Sequence, residues 1–378
     1  MTADASGDER LQEAERALTG TGTPLVEVAH VQLYYPVKTG VLIDRTIGYV
    51  HAVDDVSLAL KEGETLGIVG ESGCGKSTLA RCVVRLLEPT DGTLRFRGRD
   101  ITHLGRRSLG MLHKEAQLVF QDPVSSLNPR KRVGQIVGTP MRLHGMDGIE
   151  RRVGELLERV GLNPEHINRF PHEFSGGQRQ RIGVARALAV DPRLIVLDEP
   201  VSALDVSIQA QVINLLDDLQ DDFGLSYMFI AHDLGVVRHV SDRIAVMYLG
   251  KVMELSPAKE LYTKPIHPYT EALLSAIPIP DPKENRARER TVISGEPPNP
   301  IEPPPGCRFH TRCPRATDVC KAVEPPLAEY PGGHLAACHH PLNVEESEIT
   351  NATRSPLSPL SAGRLMPNGQ EAPAEAEV

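Results

Sequence analysis

The chain has no tryptophan, and aromatic residues make up only 4% of its 378 residues. It contains no run of about 18 apolar residues, so no segment is expected to span a bilayer. The formal net charge of −9 argues against a general surface for nucleic acid or anionic membranes, although it leaves room for a local basic patch. Residues 1–24 are polar and acidic with no apolar core, unlike a secretory signal. We therefore predict a cytosolic protein that has no nucleic-acid partner.

The length allows two domains, or one large domain with appendages. Residues 1–24 are expected to be a disordered arm, and residues 343–378, rich in Pro, Ser and Glu, a disordered tail. Between them, alternating apolar residues predict strands at 25–35 and 50–60, joined by a loop that contains Pro36. Residues 122–190 change to helical periodicity, which indicates a helical insertion within an α/β core.

A glycine-rich stretch, Gly70-Glu71-Ser72-Gly73-Cys74-Gly75-Lys76-Ser77-Thr78, lies between an apolar run at 66–69 and a segment with a helical apolar face. A simple glycine-rich turn is the alternative, but the flanking strand and helix favour a phosphate-binding loop. Its glycines allow several N–H groups to point inward, and the helix N-terminus adds partial positive charge. Lys76 is expected to reach the β- and γ-phosphates of a nucleotide, and Ser77 to offer its hydroxyl to Mg²⁺.

An acidic pair, Asp198 and Glu199, directly follows the apolar run at 194–197. The carboxyl ends of parallel strands form the ligand-binding edge of an open α/β sheet. Asp198 is suited to orient Mg²⁺ opposite Ser77, directly or through water. Glu199 is in place to polarise the water that attacks the γ-phosphate. An acidic pair after a strand often occurs by chance. The phosphate loop in the same chain supports a functional role for this one.

Two further polar residues end predicted strands. His232 follows the strand at 227–230 and could touch the γ-phosphate while holding the attacking water in line. Gln121 follows the strand at 116–120, and its amide can reach Mg²⁺ or the same water. Each of these residues alone is more often structural, so their interpretation depends on the loop and the acidic pair.

A second glycine-rich element, Phe174-Ser175-Gly176-Gly177-Gln178, directly precedes a periodic helix. Its N–H groups and the Ser175 hydroxyl predict another phosphate-binding surface at a helix start. Further along, Ser207 is expected to cap a helix whose buried stripe includes Ile208, Val212 and Leu215.

Four of the six cysteines lie near the end of the chain, at Cys307, Cys313, Cys320 and Cys338. In a cytosolic protein they are expected to be thiols or metal ligands rather than disulfides. Their spacing matches neither a zinc ribbon nor a ferredoxin, so a metal site and four reduced thiols both remain open. Cationic neighbours favour thiolates, and the sequence places four near them: Arg308, Arg312, Arg315 and Lys321. Four histidines are possible substitute ligands but are expected to be exposed: His310, His334, His339 and His340.

The order of these motifs resembles the nucleotide-binding subunit of an ABC transporter. The resemblance covers residues 25–265 and rests on the phosphate loop, Gln121, Ser175-Gly176-Gly177-Gln178, Leu197-Asp198-Glu199, Ser202-Ala203-Leu204-Asp205 and His232. It implies an α/β fold, a P-loop NTPase core with an inserted helical subdomain at about 122–190 and ATP with Mg²⁺ at the site.

The same resemblance implies a head-to-tail pair of ATPase subunits, in which Lys76 of one and Ser175 of the other enclose one ATP. It implies that Glu199 is the catalytic base and His232 a switch, and that Asp205 helps to join the two halves. Tyr35 resembles the aromatic residue that stacks on adenine in the family, with Tyr34 as the alternative.

A narrower resemblance is to the ATPase subunits of oligopeptide and dipeptide importers. It rests on Phe120-Gln121-Asp122-Pro123, Ser126-Leu127-Asn128-Pro129, His172-Glu173-Phe174 and His267-Pro268-Tyr269. It implies a peripheral position at the cytoplasmic face of the membrane, two permeases, a second ATPase that is often a different chain, and an external solute-binding protein. The family that the chain resembles also includes importers of nickel and other small solutes.

The narrower resemblance also implies a small irregular C-terminal domain at 266–342, whose four cysteines can hold a 4Fe-4S cluster. Zinc is the second choice of metal. The alternative function is that of a soluble ABC ATPase in repair, cluster assembly or ribosome-associated work. Against that alternative stand the single ATPase unit, the absence of a coiled-coil arm and the importer-like C-terminal segment.

Overall fold

The computed structural model describes residues 23–39, 45–277, 293–351 and 353–354. The predicted arm lies outside the described residues except for its last two positions. The predicted tail contains regular structure in its first part, a helix at Glu346–Asn351 and a short strand at Thr353–Arg354. Its remainder lies outside the described residues.

The strands of the described residues are β1 (Val26–Thr39), β2 (Arg45–Leu60), β3 (Thr65–Val69), β4 (Asp91–Phe96), β5 (Arg99–Asp100), β6 (Ala116–Val119), β7 (Leu194–Asp198), β8 (Ser226–Ala231), β9 (Arg243–Tyr248), β10 (Lys251–Pro257), β11 (Ala328–Tyr330), β12 (His334–Ala336) and β13 (Thr353–Arg354). The helices are α1 (Lys76–Val83), α2 (Arg106–Glu115), α3 (Pro123–Ser126), α4 (Val133–Leu143), α5 (Ile149–Arg159), α6 (Gly176–Leu188), α7 (Val206–Phe223), α8 (Leu234–Val237), α9 (Ala258–Thr263), α10 (Pro268–Ala276), α11 (Asp318–Ala322) and α12 (Glu346–Asn351), with short 3₁₀ helices at Pro164–Asn168 and Pro171–Glu173.

The main sheet has the strand order β13-β11-β12-β10-β9-β3-β8-β7-β6. Strands β9, β3, β8, β7 and β6 run parallel, so their carboxyl ends meet at one edge. Side chains of β7 alternate between two buried cores, with Ile195 in one and Val196 in the other. A parallel strand covered on both faces accounts for this continuous apolar run.

A second, antiparallel sheet has the order β2-β1-β4-β5. The loop predicted between β1 and β2 is largely absent, because their pairing continues to Thr39 and Arg45. Pro36 therefore lies within β1, where it pairs with Tyr49. Strand β4 pairs with β1 only as far as Gln32, so Pro36 occupies an edge position, where the missing N–H is tolerated.

The described segment between β6 and β7 contains helices and no strand. Helix α5 ends where predicted, since Gly161 follows it with a positive φ of 69°. The predicted cap of α7 was wrong: Asp205, not Ser207, caps this helix by accepting a 3.1 Å hydrogen bond from the N–H of Ile208. Val212 is buried as predicted, while Ile208 and Leu215 are only partly buried.

Part of the C-terminal region shares the core of the parallel sheet, while Ile266, Tyr330 and Ala336 form a small buried cluster of their own. Cys307, Phe309 and Cys320 belong to the same buried cluster as Tyr248 and Tyr269. Among the described helices, none is both long and apolar enough to cross a bilayer.

Candidate active site

The glycine-rich loop connects β3 to α1, as the sequence predicts. Gly70, Gly73 and Gly75 have φ values of +152°, +79° and +106°, which L side chains rarely adopt. A Cβ at Gly75 would lie 1.9 Å from the carbonyl oxygen of Ala52, and one at Gly70 would lie 2.1 Å from that of Met247. The backbone of the loop therefore packs directly on β2 and β9, which only glycine allows.

Lys76, the first residue of α1, is buried with its ammonium group turned back over the loop. Its Nζ donates to the carbonyl oxygens of Gly70 at 2.7 Å and Glu71 at 2.9 Å. Within the loop, Ser72 is exposed and Thr78 is half-buried. The lysine charge is thus held at the helix N-terminus, where partial positive charge from the N–H groups adds to it.

Ser77 and Asp198 meet across the site. The Ser77 hydroxyl donates to Oδ1 of Asp198 at 2.7 Å. Oδ2 of this fully buried carboxylate makes no hydrogen bond to described residues and lies 3.7 Å from the guanidinium of Arg81. Burial raises the pKa of Asp198, while the Ser77 hydrogen bond and the charge of Arg81 lower it. A buried carboxylate oxygen without a hydrogen bond, next to a serine hydroxyl, fits the ligand preference of Mg²⁺.

The ends of three neighbouring strands bring Gln121, Glu199 and His232 together. The Gln121 amide donates to Oε2 of Glu199 at 2.8 Å, and Nδ1 of His232 lies 3.5 Å from the same oxygen. Glu199 has a φ of +46°, a strained backbone for a residue with a side chain. The carbonyl of Ile230 holds it in place by accepting a hydrogen bond from its N–H at 3.0 Å.

The second glycine-rich element forms the start of α6. Ser175 caps the helix by accepting from the N–H of Gln178 at 3.3 Å, and the Gln178 side chain accepts from the N–H of Ser175 at 3.0 Å. Ser175 and Gly176 are exposed. A Cβ on Gly177 would lie 2.4 Å from Cγ2 of Ile208, so the starts of α6 and α7 touch. No hydrogen bond in the described part of the chain joins this element to the phosphate loop.

The two tyrosines at the end of the predicted first strand have different environments. Tyr34 is 9% exposed, and its hydroxyl donates to Asp54 while its ring lies 4.3 Å from that of His51. Tyr35 is 39% exposed. Of the two rings, Tyr35 is the one that is open to stack on a base.

The four C-terminal cysteines line one small cavity together with His267, Phe309, His310, Arg315, His339 and His340. All four are free thiols. Burial raises the pKa of both Cys307 and Cys338 to about 12, and it raises that of Cys313. Without a metal, the thiols of Cys307 and Cys338 are therefore protonated at neutral pH.

The predicted cationic environment of the cysteines was mostly wrong. Arg308 forms an ion pair with Asp54, Arg312 with Glu71 and Lys321 with Asp318. Of the four predicted cations, Arg315 lines the cavity and lowers the pKa of Cys313. His334 was expected to be exposed but is buried against Glu254. Among the described residues, no group of three or more His, Cys, Asp or Glu side chains is arranged to hold a metal ion.

One further contact at the site was not predicted from the sequence. Arg312, singled out only as a neighbour of the cysteines, donates to the carboxylate of Glu71 in the phosphate loop at 2.7 Å. The two residues are 241 positions apart, beyond the reach of any local pattern. Tyr269 also reaches this loop, where its hydroxyl accepts from the N–H of Glu71 at 3.0 Å.

Two family models match the chain. The model described as "ABC transporter" matches residues 53–202, and the model described as "Oligopeptide/dipeptide transporter, C-terminal region" matches residues 253–320. The second match includes the first three of the four C-terminal cysteines and ends at Cys320.

Curated relatives are similar over most of the chain. The oligopeptide transport ATP-binding protein AppF of Bacillus subtilis is 55% identical over 319 residues, which cover 83% of this chain and 97% of AppF. The oligopeptide transport ATP-binding protein OppF of Escherichia coli is 49% identical over 316 residues, 82% of this chain and 95% of OppF. The dipeptide transport ATP-binding protein DppF of Haemophilus influenzae is 48% identical over 321 residues, 84% of this chain and 97% of DppF.

Solved structures with a similar fold cover a little under two thirds of the chain. The bacterial ABC transporter cassette MJ0796, a dimeric structure, aligns with a TM-score of 0.55 and 30% identity over 62% of this chain and 98% of the cassette. CbiO1 from Clostridium perfringens, part of the ABC transporter complex cbiONQ, aligns with a TM-score of 0.55 and 28% identity over 63% of this chain and 90% of CbiO1.

Proposed function

Because the chain belongs to the ABC transporter family, among the ATP-binding proteins of oligopeptide and dipeptide transport, we propose that it is the ATP-hydrolysing subunit of a peptide importer. Its predicted resemblance to this family is confirmed. One observation carries the catalytic part of the proposal: the Ser77 to Asp198 hydrogen bond lies beside the contact of Gln121 and His232 with Glu199. A phosphate loop, a cation site and a carboxylate base are thereby adjacent, as phosphoryl transfer to water requires.

The chemistry assigns a separate task to each side chain. Lys76 exchanges the carbonyl oxygens of Gly70 and Glu71 for the β- and γ-phosphates of ATP. Ser77 and Asp198 would hold Mg²⁺, which would neutralise charge on the phosphates. Glu199 accepts a proton from the attacking water, and the contacts of Gln121 and His232 with its Oε2 orient the carboxylate.

A second ATPase subunit completes the nucleotide site in this proposal. The exposed start of α6 at Ser175 has no hydrogen bond to the phosphate loop of its own chain within the described residues. The Ser175 cap uses the N–H of Gln178, which leaves the N–H groups of Gly176 and Gly177 to bind the γ-phosphate held by the partner's loop. Asp205, which is exposed at the start of α7 beside it, helps to join the halves in this proposal. The partner is either another copy or a different chain of the same kind.

The helices at 122–190 serve, in this account, as the subdomain that transmits closure of the ATPase pair to two permeases. Gln121 directly precedes this helical segment and contacts Glu199. A movement of Glu199 during hydrolysis would therefore reach the first residues of the segment. The subunit is then peripheral, at the cytoplasmic face of the membrane. An external binding protein and the permeases select the solute.

We also infer that the four cysteines bind a 4Fe-4S cluster, with zinc as the alternative. The four cysteines line one cavity, which supports their assignment as ligands of a single metal centre. Thiolates are ligands for both iron–sulfur clusters and zinc. The raised pKa of Cys307 and Cys338 means that binding must release protons. The described side chains are not arranged to hold a metal ion, so binding also requires the thiols to move toward one another.

A soluble ABC ATPase without a transport role is the competing function. The match of residues 253–320 to the C-terminal region of oligopeptide and dipeptide transporters argues against it, because that region lies beyond the ATPase core.

Trapping the subunit in its closed state tests the proposal. The Glu199→Gln protein, tagged and expressed in its host cells, should retain ATP and co-purify from solubilised membranes with two permeases and a second ATPase. The matched control, Lys76→Ala, should bind ATP poorly and retain less of the second ATPase when ATP is added. Recovery of soluble factors alone would favour the non-transport function.

A further inference from the structure

Glu71, the second residue of the phosphate loop, is tied down through three of its groups. Its N–H donates to the hydroxyl of Tyr269 at 3.0 Å, and its carbonyl accepts from Nζ of Lys76 at 2.9 Å. Its carboxylate Oε2 accepts from the guanidinium of Arg312 at 2.7 Å. Two of these three partners, Tyr269 and Arg312, come from the region after the ATPase core.

Arg312 reaches the loop from a buried position. Its side chain is 7% exposed, against 26% for that of Glu71. It also donates to the hydroxyl of Tyr248 at 3.3 Å, and its guanidinium carbon lies 5.8 Å from the centre of that ring. A guanidinium fixed by a carboxylate, a phenol and an aromatic face has little freedom to move away from the loop.

The three aromatic residues behind this contact form a buried cluster. The rings of Tyr248, Tyr269 and Phe309 are 4.9 to 5.4 Å apart, and all are fully buried. Tyr248 ends β9, which lies beside β3 in the sheet, and Tyr269 lies in the first turn of α10. Phe309 also lines the cavity of the four cysteines. Packed contacts therefore run without interruption from that cavity to Glu71.

A second buried contact ties the same C-terminal segment to the strand that supports the loop. Arg308 forms an ion pair with Asp54 of β2 and donates to the carbonyl of Leu249 at 3.1 Å. Two residues earlier in β2, the carbonyl of Ala52 packs against Gly75 so closely that a Cβ there would lie 1.9 Å away. The segment thus contacts both the beginning of the phosphate loop and the strand beneath its end.

We propose that Arg312 is a positioning residue for ATP binding, which acts by holding Glu71 and makes the phosphate loop depend on the cysteine-rich segment. This inference rests on the proposed ATPase function. When Lys76 leaves the carbonyl of Glu71 to bind phosphates, Arg312 and Tyr269 are the side chains that still hold this residue. The guanidinium also neutralises a carboxylate that would otherwise stand unpaired in a loop built for anions.

ATP affinity of the purified full-length chain, measured by calorimetry with Mg²⁺, tests the role of Arg312. Arg312→Ala should weaken ATP binding about tenfold, within the range of couplings between contacting residues. Arg312→Lys, which keeps the charge with fewer donors, should recover part of the loss. Lys321→Ala is the matched control, because Lys321 belongs to the same segment but pairs with exposed Asp318, and it should bind ATP like the wild type.

A double-mutant cycle separates a specific contact from general destabilisation. In the Glu71→Gln background, Arg312→Ala should cost about twofold or less, because its partner charge is already gone. An equal loss in both backgrounds would overturn the proposal, since Arg312 would then act through another contact. Melting temperatures of all four proteins show whether any variant has lost its fold, and only folded variants enter the cycle.

Hydrogen exchange gives a readout that a merely structural residue would not change. If Glu71 links the two regions, ATP should increase protection of amides at 307–323 in the wild type and not in Arg312→Ala, while the phosphate loop is protected in both at saturating ATP. Unchanged exchange at 307–323 in the wild type would contradict the link. Failure of the wild type itself to bind ATP would instead refute the proposed function.

Discussion

The side-chain amide of Gln121 donates a 2.8 Å hydrogen bond to Oε2 of Glu199. The same oxygen lies 3.5 Å from Nδ1 of His232, whose side chain is 55% exposed whereas that of Glu199 is 14% exposed. Gln121 and His232, which follow the two strands that flank β7, therefore orient the carboxylate of Glu199 while it stays accessible to water. If Glu199 is the proposed proton acceptor, its neighbours fix the direction of the carboxylate toward the attacking water.

Replacing this carboxylate should separate ATP binding from hydrolysis. Glu199→Gln preserves shape and removes the proton acceptor, so the rate of ATP hydrolysis should fall by about 100-fold or more with ATP affinity retained. Phosphate release and nucleotide binding measure the two effects. Glu158→Gln, an exposed carboxylate on α5, should behave as the wild type. A near-normal rate of ATP hydrolysis in Glu199→Gln would show that Glu199 is not the proton acceptor.

Two glycines that precede helices offer a matched test of the phosphate loop. Gly75→Ala should abolish ATP binding and lower the free energy of unfolding by about 2 kcal/mol, because its φ is +106° and its Cβ would meet Ala52. Gly105 precedes α2 with a φ of −71° and open space around it. Gly105→Ala should change stability by no more than about 0.5 kcal/mol. Equal effects of the two substitutions on ATP binding would contradict the close packing of the loop.

The buried carboxylate of Asp198 should cost stability when no cation is present. Burial raises its pKa, and its Oδ2 makes no hydrogen bond to described residues. Asp198→Asn removes the charge and retains an acceptor for Ser77, so it should stabilise the nucleotide-free protein by about 1 kcal/mol while Mg²⁺-dependent hydrolysis is lost. Chemical denaturation in EDTA and an ATPase assay give the two results. A less stable Asp198→Asn would show that Arg81 already offsets the buried charge.

The metal content of the purified protein distinguishes a 4Fe-4S cluster, a zinc site and four free thiols in the cysteine-rich segment. Protein purified without oxygen should contain about four irons and four sulfides per chain if a 4Fe-4S cluster is bound. Cys320→Ser should lose them, whereas Cys82→Ala, in the core of α1, should not. Stoichiometric zinc without sulfide would favour the alternative metal. Absence of both would leave four free thiols, in agreement with the raised pKa values of Cys307 and Cys338.

Local patterns in the sequence were sufficient to predict the elements around the site. The loop before Lys76 and the acidic pair after β7 depend on residues within a few positions, and the fold of an ABC ATPase follows from their order. Patterns of this kind could not find the cap of α7, because both Asp205 and Ser207 suit it, or the continuation of β1 through Pro36, which depends on where β4 ends. They also could not find the pairing of Arg312 with Glu71, which the tertiary fold alone brings together.

Peptide uptake by the host cells is the most direct test of the central claim. Cells in which the chain is replaced by Glu199→Gln should lose ATP-driven uptake of labelled di- or oligopeptides and keep normal uptake of free amino acids. Re-expression of the wild-type chain should restore peptide uptake. Peptide uptake that is unchanged in Glu199→Gln cells, for every peptide length tested, would contradict the assignment of this chain as the motor of a peptide importer.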